Sequence, residues 1–191
     1  MKTLQEDIAQ ACEVMQRGGI ILYPTDTIWG IGCDATNSEA VRRVYEIKRR
    51  ADNKALIVLT DSMTKVDFYV EEVPDIAYDL TDLSEKPLTI IYTGARNLAP
   101  ELLGDDGSVG IRVTREKFSQ ALCRRFRKAI VSTSANVSGT PSPMSFADIS
   151  DEIKQAVDYI VEARQDEVGG NAAPSSIIKL GAGGLIKVIR E

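Results

Sequence analysis

The feature that most constrains this chain is a series of apolar runs too short to be helices, set between stretches of helical spacing. Ile20–Tyr23, Ala55–Thr60, Leu88–Tyr92, Ser108–Val113 and Ala129–Ser132 each last four to six residues and are bounded by polar or turn-forming residues. Runs of that length and composition are strands, and an unbroken one such as Ala55-Leu-Ile-Val-Leu-Thr60 is a strand buried on both faces. Between them, Leu4, Ile8, Ala11, Cys12 and Met15 recur at helical spacing, and Gly18-Gly19 closes that helix. Ser38 is a candidate cap for a helix with Val41, Val44 and Tyr45 inward, and Phe118, Leu122 and Phe126 mark another. Residues 61–85 read as one or two short acidic helices around Pro74, 93–107 as a loop and candidate lid, and 145–156 as a last helix. Strands then cluster at Tyr159–Val161, Ser176–Leu180 and Leu185–Ile189, the last two joined by Gly181-Ala-Gly-Gly184. Alternation followed by clustering predicts an α/β fold with a mixed sheet and flanking helices. The 191 residues show no repeat or linker and predict one domain over 1–191.

The chain has no histidine. Ser-His and Cys-His dyads and histidine metal sites are therefore excluded. Cys12, Cys33 and Cys123 are odd in number and widely spaced, so they frame neither disulfides nor a zinc site. Cys12 and Cys123 fall on apolar helix faces, and Cys33 has no base to activate it. Chemistry is left to Lys, Arg, carboxylates, hydroxyls, backbone amides or a carried-in metal, which favours reactions driven by positioning and charge stabilisation. No apolar run approaches the roughly 18 residues of a membrane span, and Met1–Asp7 has no apolar signal region, so a cytoplasmic protein without membrane contact is expected.

The net charge of −5 conceals strong patterning. Arg42, Arg43, Lys48, Arg49, Arg50 and Lys54 face only Glu46 and Asp52 in one segment. Arg112, Arg115, Lys117, Arg124, Arg125, Arg127 and Lys128 face only Glu116 in a second. Segment 61–85 is strongly acidic. Two basic segments on one face would make a surface for phosphates or nucleic acid, and separate ones are ordinary solvated helix faces.

The stretch Tyr23-Pro-Thr-Asp-Thr-Ile-Trp-Gly-Ile-Gly-Cys33 follows the first strand. Hydroxyls and a carboxylate at a strand end are where open α/β sheets bind ligands, although turn chemistry accounts for Pro24, Asp26 and Gly30 equally well. Gly30-x-Gly32 implies either close backbone approach or positive φ. There is no phosphate-binding Gly-x-x-x-x-Gly-Lys-[Ser/Thr], no Gly-x-Gly-x-x-Gly and no Gly-x-Ser-x-Gly. Asn136-Val-Ser138 fits a glycosylation acceptor, a match without meaning in a cytoplasmic chain. Three polar groups remain that could converge: the Thr25/Asp26/Thr27 loop, Lys48-Arg-Arg50, and the corner Ser132-Thr-Ser-Ala-Asn136 with Ser142. Lys and Arg neutralise phosphate oxygens, and hydroxyl and amide groups donate to phosphate or carboxylate.

In order, Tyr23-Pro-Thr-Asp-Thr, Gly30-x-Gly32, Lys48-x-Arg50 with Leu56-Ile-Val58, Val109-Gly-Ile-Arg112-Val, Ser132-Thr-Ser-Ala-Asn136-x-Ser-Gly with Pro141-Ser142, and Ser175-Ser-Ile-Ile resemble the YrdC-type threonylcarbamoyl-adenylate synthase family over about residues 8–190. The resemblance implies a YrdC/RibB-like twisted α/β fold around a positive cavity, in a catalytic-domain-only form. It implies a nucleotidyltransferase joining L-threonine, bicarbonate and ATP, with Mg²⁺, into threonylcarbamoyl-AMP and pyrophosphate. The product would feed the transfer machinery that makes threonylcarbamoyladenosine in tRNA. It implies that Lys48 and Arg50 hold the ATP phosphates and the carbonate, that Ser134, Asn136 and Ser142 contact the nucleotide, and that Ser108 and Arg190 assist there. Thr25, Arg112, Ser132 and Ser175 would hold threonine, with Arg112 on its carboxylate, and no side chain is assigned to metal. Ala51 replaces a usual Pro, Leu59 a common His, and Glu85-Lys-Pro-Leu-Thr89 lacks the family's Gly. Two other readings stand beside it: a module for double-stranded RNA or tRNA without catalysis, and a carbamoyltransferase that forms carbamoyl-adenylate.

Overall fold

The computed structural model describes residues 2–49, 56–167, 174–181 and 185–191. Its helices are α1 (Leu4–Gln16), α2 (Ser38–Lys48), α3 (Met63–Tyr69), α4 (Asp75–Leu83), α5 (Lys117–Phe126) and α6 (Asp151–Ala156). Its strands are β1 (Ile21–Tyr23), β2 (Gly30–Gly32), β3 (Ile57–Thr60), β4 (Leu88–Tyr92), β5 (Val109–Val113), β6 (Ile130–Ser134), β7 (Tyr159–Ile160), β8 (Ser176–Leu180) and β9 (Ile186–Arg190). They form one sheet in the order β7-β1-β2-β6-β3-β5-β4-β8-β9. Pairs β1–β7, β3–β5 and β4–β8 are parallel, and β1–β2, β2–β6, β3–β6, β4–β5 and β8–β9 antiparallel. The expected mixed α/β sheet is therefore present.

Local chemistry sets the element ends. Thr3 and Glu6 form a capping box on α1. At its other end Gly18, at φ +81°, donates to the Met15 carbonyl and Gly19 to the Val14 carbonyl, the paired bonds of a Schellman stop. Asn37, not Ser38, caps α2 by accepting from the Ala40 amide. Helix α2 ends abruptly because Arg49 is left-handed at φ +47°, so Lys48 is its last residue. Helix α6 begins later than its spacing implies, because Asp148 accepts from the Ser145 amide and hydroxyl and holds a separate turn ahead of the Ser150 cap. Loop 93–107 is tied down. It carries a short 3₁₀ turn at Pro100–Leu102, Ala99 donates to the Ala35 carbonyl, and Tyr45 donates to the Glu101 carbonyl. Those anchors do not suit a lid.

Gly30-x-Gly32 is the main local departure from the sequence reading: it is strand β2, flanked by β1 and β6. Neither glycine has positive φ. A Cβ on Gly32 would lie 2.6 Å from Tyr23 Cε1 and 2.8 Å from the Val131 carbonyl oxygen. The Tyr23 ring lies across Gly32, and its hydroxyl donates to that same carbonyl. Gly32→Ala must displace a buried ring and backbone together, which costs about 2–3 kcal/mol. Urea unfolding should show that loss, and an unchanged midpoint would contradict this packing.

Candidate active site

Residues directly opposite each other in a ladder point to the same face, as do positions i and i+2 along a strand. Gly30 opposes Ser134, Ile57 opposes both Ser132 and Gly110, and Arg112 opposes both Leu59 and Thr89. Gly30, Gly32, Ser132, Ser134, Gly110, Arg112 and Thr89 therefore share one face. The other face carries Leu22, Ile31, Val58, Ile111 and Val131, all buried as core. Glycine at three positions removes side chains from the polar face. A Cβ on Gly30 would stand 3.3 Å from Thr25 Cγ2 and 3.6 Å from Ser132 Oγ. The result is a row of hydroxyls and one guanidinium, with the Tyr23 ring covering Gly32 and with Ile57 and Thr89 flanking Gly110.

At one end of this row, α2 delivers Lys48. Its ammonium donates to the backbone carbonyls of Ser134 and Asn136, each at 2.6 Å, and lies 3.4 Å from Ser134 Oγ and Asn136 Oδ1. Lys48 is 1% exposed. Asn136 Nδ2 donates to the Thr140 carbonyl and the Ser138 amide to the Lys48 carbonyl, which closes the corner. Lys48 and the Ser/Thr/Asn corner thus converge, and Lys48 is bound into the corner's backbone. Arg50 lies outside the described residues.

Arg112 sits one pleat repeat along β5 from Gly110, about 7 Å away. It is buried and pairs with Asp26, Nη2 to Oδ1 3.1 Å. Thr89 lies opposite, and its hydroxyl is 3.0 Å from the Ser175 hydroxyl. Arg190 donates to the Ser175 carbonyl at 2.9 and 2.7 Å. The structure therefore places Arg190 with Ser175, away from Ser134 and Asn136. Burial and the Arg112 charge both lower its pKa. The Thr25 hydroxyl donates to the Ile28 carbonyl and accepts from the Thr27 amide, so it shapes its own loop. The carbonyls of Pro24 and Thr25 accept from Ser119 and Arg164, which press the loop onto the sheet. Beside it opens a cleft of about 1160 Å³ walled by Thr25–Trp29, Leu88, Val113, Phe118 and Arg164.

Two candidates lie apart. Ser142 is exposed and makes no hydrogen bond to the corner among the described residues. Ser108 stands just before β5, where its hydroxyl donates to Asp106 at 2.5 Å. Lys179 and Ser108 together pull the Asp106 carboxyl down to about 2. A depressed carboxyl stabilises the fold above its unfolded pKa and loses that contribution as pH falls towards 2. Asp106→Asn should therefore lower thermal stability at pH 7 and converge with the parent near pH 2. An equal deficit at both values would contradict it.

Sequence reasoning leaves Thr89 out of the site, and it names Asp26 only as part of the Thr25/Asp26/Thr27 loop, without a role of its own. The available signals were a hydroxyl inside an otherwise apolar strand and a carboxylate between two threonines. Cys33 is buried at the end of β2, and burial pushes its thiol pKa up, so it is unreactive. Much of the two basic segments is ion-paired among the described residues. Arg42 pairs with Glu101, Arg43 with Asp158, Arg49 with Glu152, Arg115 with Asp82, Arg124 with Asp61 and Lys128 with Asp34. Among the described residues no three His, Cys, Asp or Glu converge as a metal cage. Nor is any described helix long and apolar enough to cross a membrane.

A mixed sheet that brings an ammonium-bound corner and a buried guanidinium to one face marks an α/β protein whose polar site is built without histidine. The Sua5/YciO/YrdC family model, described as telomere recombination, matches residues 13–191, and the chain belongs to that family. A protein of Pseudoalteromonas translucida named threonylcarbamoyl-AMP synthase is 34% identical over 176 residues, 91% of this chain and 92% of that one. The crystal structure of E. coli YciO superposes with a TM-score of 0.84 at 25% identity, covering 100% of this chain and 91% of that one. P. abyssi Sua5, crystallised with L-threonine, gives a TM-score of 0.84 at 24% identity, a likeness of fold. The match covers 94% of this chain and 52% of the Sua5 chain, so this chain spans about half of that protein's length.

Proposed function

We propose that this protein is an L-threonylcarbamoyladenylate synthase, acting in the cytoplasm as one catalytic unit over residues 1–191. The observation that carries this reading is the order of groups along one face of the sheet: a guanidinium for a carboxylate, then Ser132 and Ser134, then a positively charged corner for phosphates. The relatives named threonylcarbamoyl-AMP synthase at 28–34% identity support the same activity.

In this reading Arg112 takes the threonine carboxylate through its forked donors, with Thr89 and Ser175 beside it. The threonine amine combines with bicarbonate to give a carbamate and water, over the row of Ser132 and Gly110. A carbamate oxygen then attacks the α-phosphorus of ATP. The bond from that phosphorus to the bridging oxygen breaks, and pyrophosphate leaves with the electron pair. Ser134 and Asn136 receive the phosphates, Lys48 supplies charge beneath them, and Arg50 has the direct phosphate role that the family resemblance assigns. Ser142, Ser108 and Arg190 keep only the roles carried over with the resemblance. Mg²⁺ enters bound to ATP, and no step is routed through a protein-held ion. The product goes to the machinery that modifies tRNA. Pairing of many of the basic residues disfavours an RNA-binding module without catalysis.

Pyrophosphate release from ATP and Mg²⁺, with threonine and bicarbonate omitted in turn, tests the activity. Release should require both. Release with carbamoyl phosphate in their place would favour the carbamoyltransferase.

A further inference from the structure

Arg164 is left-handed, at φ +64°, a conformation that suits glycine and strains a residue with a Cβ. The chain just before it is fixed. Val161 donates to the Leu22 carbonyl of β1, and the Ala163 amide donates at 2.8 Å to the buried Asp7 of α1. At Arg164 the backbone turns away from those anchors, and its side chain joins the wall of the cleft. The guanidinium is held from three sides. Nη1 donates to the Thr25 carbonyl at 3.1 Å and lies 3.2 Å from Glu116 Oε1, and Nε donates to Glu167 Oε2 at 2.7 Å. Glu116 is itself fixed, because its carboxylate accepts from the Phe118 and Ser119 amides at the start of α5. The Arg164 side chain is 33% exposed and that of Glu167 56%. Ion pairs so open to solvent contribute little stability, so they do not account for keeping a strained backbone. What the three contacts fix is aim: a planar fork set against two carboxylates holds a donor on the Thr25 carbonyl in one geometry. The next residue, Asp26, pairs with Arg112. The corner of Ser134 and Asn136 is held separately, by Lys48 of α2.

We infer that Arg164 is a positioning residue for the threonine end of the site: it fixes the backbone of Thr25, and through it the Asp26 carboxylate that orients Arg112. The side chain acts through the loop and not on the substrate. The inference rests on the threonine reading above and adds to it a residue outside the sheet that sets threonine affinity and leaves ATP affinity alone.

Steady-state pyrophosphate release by the full chain, with threonine and ATP varied in turn, provides the test beside thermal melting of Arg164→Ala, Arg164→Gly and Arg164→Lys. Alanine and glycine remove the same contacts, and only glycine relieves the left-handed backbone. Arg164→Gly should therefore melt about 2–4 °C above Arg164→Ala. Both should raise the threonine KM by about tenfold and to the same extent, since the lost aim is common to them. The ATP KM should stay within about twofold of the wild type. Arg164→Lys keeps a cation beside Glu116 and a donor for the Thr25 carbonyl, so it should return the threonine KM to within about threefold of the wild type. A threonine KM that follows melting temperature across the three variants, or that moves together with the ATP KM, would overturn the inference and leave Arg164 a structural brace. An unmoved threonine KM would overturn it as well. A wild type whose pyrophosphate release does not depend on threonine is a separate result: it removes the threonine reading itself, and this inference with it.

Discussion

Lys48→Met is expected to slow pyrophosphate release by at least about a hundredfold and to cost about 3 kcal/mol of stability in the same protein. The coupling of the two effects follows from where the ammonium sits. It donates to the Ser134 and Asn136 carbonyls at 2.6 Å from a fully buried position. Methionine fills the same volume with no donor, so two carbonyls in the interior lose their partner, at about 1–3 kcal/mol each before relaxation. The corner then loosens where phosphates are to be held, and a displacement of 1 Å in a positioning group costs about a hundredfold in rate. Lys48→Arg should not rescue it, since a planar fork cannot aim its donors as a compact ammonium does. Urea unfolding and the pyrophosphate assay on one preparation decide the matter. Full stability with lost activity would show that Lys48 acts on the ligand alone.

Arg112→Met should reduce kcat/KM for threonine by about a thousandfold, with most of the change in threonine binding. It should also destabilise the fold by about 3–5 kcal/mol, because Asp26 would be left as a buried charge with no counterion. The two losses separate in a double variant. With Asp26→Asn added there is no stranded carboxylate, so stability should recover while threonine turnover stays lost. A double variant that regains turnover would mean that Arg112 serves only to neutralise Asp26.

The parts legible in the sequence were those in which one residue type carries its own message. Arg112 at the end of an apolar strand, the Ser132–Asn136 corner and Ser175 are polar groups in places where core is expected, and the structure brings Lys48 to Ser134 and Asn136. What pairing across the sheet decides was not legible. Three residues of β2 are too few for periodicity to separate a strand from a turn, and its glycines are explained only by neighbours across the sheet, Tyr23 and Val131 at Gly32 and Thr133 and Thr25 at Gly30. Thr89 is hidden because Leu88–Tyr92 reads as plain core, and its role depends on Arg112 and Ser175 lying beside it. The insertion of β6 between β2 and β3 has no local signature. The pairing of the basic segments was not legible for the same reason. Arg124 and Arg115 find their carboxylates on Asp61 and Asp82, in the acidic segment that the charge count had set apart.

The central claim is that one face of the sheet joins threonine, a one-carbon unit and the α-phosphate in that order. Incubating the protein with ATP, Mg²⁺, L-threonine and ¹³C-bicarbonate, and weighing the adenylate product by mass spectrometry, tests it most directly. The account predicts threonylcarbamoyl-AMP one mass unit heavier than with ordinary bicarbonate, formed in equal amount with pyrophosphate. An adenylate without the label, or pyrophosphate formed with no threonine-containing adenylate, would contradict it.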